Sequence, residues 1–312
     1  MILFKSSFIT AQVQRLRAAF RQSNLSYVAM ASSRHHFVPQ AYLRGFSCPV
    51  HGKQFVWVYD KREGRAPTCK SVKSIAWAHN YYAQERDDGS TDSDRLEVGL
   101  AQTIDNRAAE LVSSLDASDK NEFHLTDDNQ AIMAIFVGLS LTRVPSFRDG
   151  INDFYTQIAQ YMTEAIAPKL WKGEGPPPEV RAKAKEWVSL EHMIQGAQQI
   201  ANSLMEKQWQ FFRCPVDQPF ITSDNPVVFH RLAPATASSE IFMHLKKDLA
   251  IVCTPKLPHG RFPILDASRA QVRSMNATLA QAARHRIFAS YASDGLNRLA
   301  KKYADMEQRI AT

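Results

Sequence analysis

The sequence predicts an α+β fold that is predominantly helical, with a small, mainly antiparallel sheet built from N-terminal and C-terminal strands. Runs of β-branched and aromatic residues lie near both ends of the chain. Between them, from about residue 94 to 212, apolar residues recur at the three- and four-residue spacing of helices. Strands on both sides of a helical middle favour one α+β unit, in which the late strands join the early ones.

The first strand is predicted at Gln54–Tyr59, whose sequence QFVWVY is rich in β-branched and aromatic residues. Residues Arg62–Pro67 contain Gly64 and favour a turn, so we expect a partner strand directly after them. Before this hairpin, His36–Phe46 is predicted to be an extended entry followed by a turn of helix.

Two helices are predicted next. Over Asp94–Leu115 the apolar residues recur every three or four positions, with Asp94 suited to the N-cap. The second helix follows Leu125, with Thr126 or Asp127 as its cap, and ends at Val144-Pro145 because the proline ring blocks continuation. Its charge-free stretch Asn129–Thr142 is apolar on more than one face, which predicts the centre of the core.

The remaining chain predicts further helices, a connector and late strands. Helices are expected at Asn152–Leu170 and from Glu179 to about Trp209, joined by the proline-rich connector 173–178. Two more helices, about 268–286 and 294–310, close the chain. Short strands separated by proline turns are predicted at four places: Phe211–Phe212, Phe220–Thr222, Val227–Phe229 and Leu249–Thr254.

The positive charge of the chain lies at its N-terminus. Residues 1–59 contain seven of the 38 Lys and Arg residues and no Asp or Glu, so the remaining 31 basic residues balance the 31 acidic ones. We expect residues 1–29 to be a basic extension, either an upstream segment that results from a misassigned start codon or a loosely attached helix, with a functional basic arm as the alternative. A single α+β domain is then expected over 30–312.

The composition is that of a globular protein, with 45% hydrophobic and 22% charged residues. The longest charge-free apolar stretch has 14 residues, whereas a membrane span needs about 20, so no membrane association is expected. The four cysteines are far apart and contain no Cys-x-x-Cys pair. In a cytoplasmic protein, which is the location we expect, they are predicted to be small buried thiols.

Six segments together resemble the bacterial domain-of-unknown-function family 4238, over most of residues 34–290. They are RHHFVPQAYLRGF (Arg34–Phe46), FVWVYDK (Phe55–Lys61), LEVGL (Leu96–Leu100), LSLTRVP (Leu139–Pro145), FITSDNPVV (Phe220–Val228) and the late NATLAQAARHRIFAS. The family pattern has a second glutamate about eight residues after Glu97, where this chain has Asp105. The resemblance implies a fold and candidate residues, but no established activity.

These motifs contain residues that could form one polar site. His36 follows an extended run, and Asp224 ends a strand within Thr-Ser-Asp-Asn-Pro. Glu97 and Asp105, eight residues apart on one helix, lie on nearly the same face. We expect a catalytic set of His36, Glu97, Arg143 and Asp224, with His35, Asp105, Ser223 and Asn225 as binding residues.

The chemistry that fits this set is metal-assisted phosphodiester hydrolysis. Carboxylates with one imidazole suit Mg²⁺ or Mn²⁺, so His36, Glu97 and Asp224 are the expected ligands. Arg143 could bind a phosphate with two hydrogen bonds. The function predicted is therefore a metal-dependent hydrolase, nuclease-like or phosphodiesterase-like, that acts on nucleic acid or a nucleotide. No phosphate-binding glycine loop, Gly-x-Ser-x-Gly or His-Glu-x-x-His pattern is present to suggest another enzyme class.

Each candidate also has a structural interpretation. Asp224 suits an Asx-turn before Asn225-Pro226, and Arg143 suits the carbonyl end of a helix. Glu97 lies in the first turn of its helix, where negative charge is favourable. His36 could be a structural histidine, and the alternation of an extended chain directs His35 to the opposite side. The alternative function is a non-catalytic binding or effector module in a bacterial defence or stress system.

Overall fold

Two large β-sheets and a set of helices form the part of the chain that the computed structural model describes. The described residues are 7, 9–14, 34–62, 65–85, 91–92, 95–115, 121–170, 186–230, 236, 238–256, 258 and 260–307. Of the described residues, 47% are helix and 25% are strand, which confirms an α+β fold in which helix predominates. The expectation of a single small sheet is wrong, because one large sheet has five strands and the other has six.

The strands of the described residues are short. They are β1 (Arg34–His36), β2 (Cys48–Val50), β3 (Lys53–Asp60), β4 (Thr68–Ser71), β5 (Trp77–His79), β6 (Gln84–Glu85), β7 (Thr91–Asp92), β8 (Glu122–Phe123), β9 (Gln208–Arg213), β10 (Thr222–Ser223), β11 (Val227–His230), β12 (Glu240–Lys246), β13 (Leu249–Thr254), β14 (Phe262–Asp266) and β15 (Arg286–Ala289).

The helices cluster in the middle and at the end of the chain. They are α1 (Gln40–Arg44), α2 (Arg95–Leu100), α3 (Asn106–Ser114), α4 (Asp127–Thr142), α5 (Pro145–Leu170), α6 (Glu186–Met205), α7 (Arg269–Ala282) and α8 (Asp294–Lys302). A π-helical turn, Ala101–Asp105, joins α2 to α3 without a break.

The five-stranded sheet unites the two ends of the chain, as the sequence predicts. Strand β3 is central: Phe55 pairs with both β2 and β4, so these two strands lie on opposite edges of β3. Late strand β15 pairs antiparallel with β3, from Ala289 opposite Trp57 to Arg286 opposite Asp60, and β10 pairs with β15. The early hairpin and the late strands therefore share one sheet.

The six-stranded sheet is mixed; the sequence predicts strands within β9, β11 and β13 but not β8, β12 or β14. Its order is β11-β12-β13-β9-β14-β8, and only the β14–β9 pair among these is parallel. The sequence analysis missed β12 because Ile241–Leu245 are all buried, so the strand lacks the polar alternation of a half-exposed one. It also assigned residue 286 to a helix, whereas α7 ends at Ala282 and β15 begins at Arg286.

Helix α4 is the centre of the core, as predicted, and 13 of its residues are buried. Thr126 is its N-cap and accepts the backbone N–H of Asn129 at 3.2 Å. It packs closely on α6: a Cβ at Gly138 would lie 2.5 Å from the carbonyl oxygen of Ala197, so the two helices need a glycine at this crossing.

Two predicted helix boundaries in this part of the chain differ from the structure. Helix α5 begins at Pro145 and not at Asn152, because proline ends α4 yet suits the first turn of the next helix. The long helix ends at Met205, and Trp209 lies in strand β9. The connector 173–178 and the predicted start at Glu179 lie outside the described residues, as does most of the predicted extension 1–29.

The described part of that extension packs on the core. Residues 9–14 are helical, with Ile9 and Val13 buried in the main hydrophobic cluster. Gln12 donates a hydrogen bond to Asp128 at 2.9 Å and accepts one from Arg107 at 3.3 Å. These contacts attach residues 9–14 to the start of α4 and to α3.

No single helix among the described residues is long and apolar enough to cross a membrane. By length and composition alone, α4 and the first part of α5 pass that test only as a pair, with a 60° bend between them.

Candidate functional site

Glu97 on α2 connects to both histidines of strand β1. Its Oε1 accepts the backbone N–H of His36 at 3.1 Å and lies 3.4 Å from Nδ1 of the same residue. Its Oε2 lies 3.9 Å from Nε2 of His35. Because the carboxylate bonds a main-chain N–H, it lies at the edge of the strand, between the two faces from which successive side chains project. His35 and His36 therefore both contact Glu97, although successive side chains of a strand project to opposite faces.

His35 is fixed by contacts on both ring nitrogens. It is fully buried, and its Nδ1 accepts the backbone N–H of Tyr82 at 2.8 Å. The two rings stack, with centroids 5.7 Å apart and planes 11° apart. Since Nδ1 is an acceptor, a neutral His35 carries its proton on Nε2, which is the nitrogen on the side of Glu97. This arrangement makes His35 a support for Glu97.

His36 is held on one side only. Its Nδ1 is 3.4 Å from Glu97 Oε1 and 3.4 Å from Nε2 of Gln40, the first residue of α1. Its Nε2 is buried and has no hydrogen-bond partner among the described residues. Buried polar atoms are nearly always paired, so an exception of this kind in a cavity points to a ligand or a reacting group.

A buried ion pair forms the opposite wall. Arg143, at the end of α4, is 1% exposed, and its Nη1 donates to both carboxylate oxygens of Asp105, at 2.9 and 3.0 Å. Burial raises the pKa of the Asp105 carboxyl, and the guanidinium of Arg143 opposes that rise. Arg143 thus neutralises a carboxylate, and its Nη1 is not free to bind a phosphate as the sequence analysis expected.

The π-turn brings Glu97 and Asp105 to the same side. In an uninterrupted α-helix, eight residues turn about 800°, which is about 80° more than two full turns. The wider turn Ala101–Asp105 adds fewer degrees per residue and reduces this offset. Thr103 supplies a hydrogen bond here, from its hydroxyl to the carbonyl of Gly99 at 2.6 Å. Such insertions occur often at functional sites.

These groups line one small cavity of about 190 Å³. Its charged side chains are two acids and two arginines, so their charges balance: Glu97, Asp105, Arg44 and Arg143. Of the expected site residues, His36, Glu97, Asp105 and Arg143 meet here, and His35 supports them from behind.

The lining residues that the sequence analysis missed include Gln40, Arg44 and Tyr82. Gln40 and Arg44 lie one turn apart on α1 and both belong to the segment Arg34–Phe46, so their spacing after His36 was a usable signal. Tyr82 comes from an irregular segment, and nothing in its surrounding sequence marks it. Its hydroxyl donates to the carbonyl of His36 at 3.3 Å.

Asp224 does not line this cavity and has a structural role. Its Oδ1 accepts the backbone N–H of Arg284 at 2.9 Å, and its Oδ2 accepts those of His285 at 2.8 Å and Arg286 at 3.0 Å. It does not cap its own turn, as the Asx-turn alternative supposed. Instead it fixes the segment between α7 and β15.

The neighbours of Asp224 act on the same region. Ser223 and Asn225 form a local turn, in which the hydroxyl of Ser223 donates to the carbonyl of Asn225 at 2.8 Å. The side-chain amide of Asn225 donates to the carbonyl of Ala282, at the end of α7. The expected binding residues Ser223 and Asn225 therefore act with Asp224 to hold the end of α7 and β15 together. We call these three residues, Ser223, Asp224 and Asn225, the latch.

The expected metal ligands His36, Glu97 and Asp224 do not assemble. In the part of the chain that the structure describes, no group of three His, Cys, Asp or Glu side chains is placed to hold a metal ion. Asp224 is bound to backbone amides, and both oxygens of Asp105 face Arg143. In the described residues the three expected ligands therefore lie in two separate parts of the fold, with His36 and Glu97 at the cavity and Asp224 between α7 and β15.

Comparison with known proteins gives a family and no function. A family model described as Protein of unknown function (DUF4238) matches residues 34–293. That range contains every residue of the cavity. The searches of curated proteins and of solved structures gave no match.

The Asp105–Arg143 pair predicts a strongly asymmetric mutational response. Arg143→Met leaves a buried carboxylate without its partner and should lower the free energy of unfolding by about 3–5 kcal/mol. The loss should be greater at pH 8 than at pH 5. Burial then raises the pKa of Asp105 without opposition, so the folded state favours the protonated carboxyl and loses stability as the pH rises through that pKa.

Urea unfolding at the two pH values measures both effects. The double variant Asp105→Leu/Arg143→Met is the matched control, because it removes both charges and should recover most of the loss. If Arg143→Met were as stable as the wild type, the Asp105–Arg143 pair could not be an isolated buried ion pair, and this interpretation would be wrong.

The latch predicts that Asp224→Asn is destabilising. The amide has only one acceptor oxygen, so at least one of the three backbone N–H groups loses its acceptor and faces an NH2 group instead, and the free energy of unfolding should fall by about 3 kcal/mol. Asp217→Asn is the control: Asp217 is exposed and pairs with exposed Arg269, and its loss should cost less than about 1 kcal/mol. Urea unfolding measures the free energy of unfolding of both variants. Equal values for Asp224→Asn and Asp217→Asn would contradict the structural role of Asp224.

Proposed function

The chain belongs to the family described as Protein of unknown function (DUF4238), and we propose that it is a hydrolase of phosphate esters with His36 as general base. The observation that carries this proposal is the asymmetric setting of the His36 ring. One nitrogen lies against Glu97, the other is buried without a hydrogen-bond partner among the described residues, and His36 is one of the residues that line the cavity. An imidazole oriented by a carboxylate at one nitrogen is a common form of general base.

Glu97 has two effects on His36. When Nδ1 carries the proton and faces Glu97, Nε2 has a free electron pair and can accept a proton. The negative charge of the carboxylate then stabilises the imidazolium that forms. The contact of His35 with Oε2 holds Glu97 in place for this purpose.

The proposed reaction transfers one proton to His36. Nε2 accepts a proton from a water molecule, whose oxygen bonds to phosphorus while the bond from phosphorus to the leaving oxygen breaks. The products are a phosphate ester with one substituent fewer and an alcohol or phenolate. Protonated His36 then returns its proton to the leaving oxygen or to solvent.

A phosphate group is favoured because of Arg44. This side chain lines the cavity, is exposed, and forms no ion pair with the described residues. A guanidinium without a carboxylate partner suits two-point binding of phosphate oxygens. The volume of about 190 Å³ is below the range of about 300–1,000 Å³ typical of whole ligands, so the cavity suits the reacting group alone. A nucleotide or the end of a nucleic acid fits this better than a duplex.

Substitution of His36 tests the proposal. Wild-type protein should hydrolyse bis(p-nitrophenyl) phosphate, followed by the absorbance of released p-nitrophenolate. His36→Ala should lower kcat by roughly 10²–10⁴-fold, the usual contribution of a general base. Glu97→Gln should lower kcat as well, but less, because the base remains and only its orientation is lost. Added imidazole should restore part of the activity of His36→Ala, because it can enter the vacated space.

Two exposed residues supply matched controls, His124→Ala and Glu206→Gln, which should leave the rate unchanged. The hydrolysis should also continue in EDTA. Turnover that depends on added Mn²⁺, or that survives in His36→Ala, would refute the general-base mechanism. Binding of phosphate esters with no turnover in the wild type would favour the non-catalytic binding module.

A further inference from the structure

A larger cavity of about 550 Å³ adjoins the small one. The two cavities share Ala41, Arg44 and Asn106 in their walls, so Arg44 lies between them. None of the residues assigned to the reaction, His36, His35 and Glu97, belongs to the larger cavity. Its volume lies within the range of about 300–1,000 Å³ that is typical for small-molecule ligands.

The lining of the larger cavity is apolar inside, and its charged residues are the two cations Arg44 and Lys246 and the exposed acid Glu110. Phe136, Val112 and Leu245 are buried, and Tyr42 adds no free polar group because its hydroxyl is bonded to the carbonyl of His244 at 2.7 Å. Lys246 contributes a second cation, 3.7 Å from the exposed carboxylate of Asp248. Such a site suits a ligand with an apolar or planar body and an anionic group at one end.

We propose that the larger cavity binds the organic part of the substrate, of about nucleoside size, while Arg44 holds the phosphate between the two cavities. This inference rests on the proposed function, since it places the scissile phosphate next to His36. It adds that the enzyme selects its substrate by the alcohol part of the ester. Esters with a small alcohol part then leave the larger cavity empty and react less efficiently.

Alanines create much of the space. Ala41 on α1 and Ala109 on α3 line the cavity and are only half-buried, so a larger side chain can enter it without disturbing the core.

Ala109→Leu should fill part of the volume while leaving His36 and Glu97 in place. Ser113→Leu, at an exposed position on the same wall, is a second variant if the first folds poorly. Ala270→Leu, exposed on α7, is the matched control.

The test compares two esters with the same leaving group, thymidine 5′-(p-nitrophenyl phosphate) and methyl p-nitrophenyl phosphate. Wild-type kcat/KM should be at least about tenfold higher for the thymidine ester, as expected for burial of a sizeable apolar group. Ala109→Leu should remove that preference and change the rate for the methyl ester by less than about twofold. Equal effects of Ala109→Leu and Ala270→Leu on both esters would overturn the proposal.

Binding of thymidine 5′-phosphate, measured by isothermal titration calorimetry, separates this proposal from the hydrolase. If neither ester is hydrolysed, weaker binding in Ala109→Leu by tenfold or more than in Ala270→Leu still supports the larger cavity, while the proposed reaction fails. If the wild type does not bind thymidine 5′-phosphate, or both variants bind it as the wild type does, the larger cavity has no role in ligand selection.

Discussion

The π-turn at Ala101–Asp105 is the constraint on which the site depends. It places Glu97 and Asp105 on the same side of one continuous helix, and each carboxylate then takes its own partner. Glu97 contacts the two histidines of β1, and Asp105 pairs with Arg143 at the end of α4. A short strand, a widened helix and the end of a core helix thereby come together around a cavity of about 190 Å³.

The acidic residues of the family motifs have two different tasks. Glu97 and Asp105 lie in the cavity, whereas Asp224 accepts three backbone N–H groups and holds β15 against the end of α7. β15 in turn pairs with β3, so Asp224 fixes the sheet that joins the two ends of the chain. A motif shared across a family can therefore reflect the closure of a sheet as well as chemistry.

Much of the fold was predictable from local sequence, and the site only in part. Helix α4 and the hairpin of β3 with β4 have strong local patterns. The sequence motifs also indicate four of the residues that line the cavity, which are His36, Glu97, Asp105 and Arg143. Strand β12 was missed because burial on both faces removes its alternation. The separate position of Asp224 and the contact of His35 with Glu97 depend on long-range packing and on a π-turn, which no residue spacing reveals.

General-base catalysis by His36 requires that Glu97 keep the proton of the neutral ring on Nδ1 and leave Nε2 unprotonated. Two-bond ¹⁵N–¹H correlation spectra of the ¹⁵N-labelled wild type and of Glu97→Gln report the protonation of each ring nitrogen directly. We expect a His36 ring in the wild type with Nδ1 protonated and Nε2 unprotonated, and a mixture of the two neutral forms in Glu97→Gln. A wild-type ring with its proton on Nε2 would contradict the account, because that nitrogen could not then accept a proton from water.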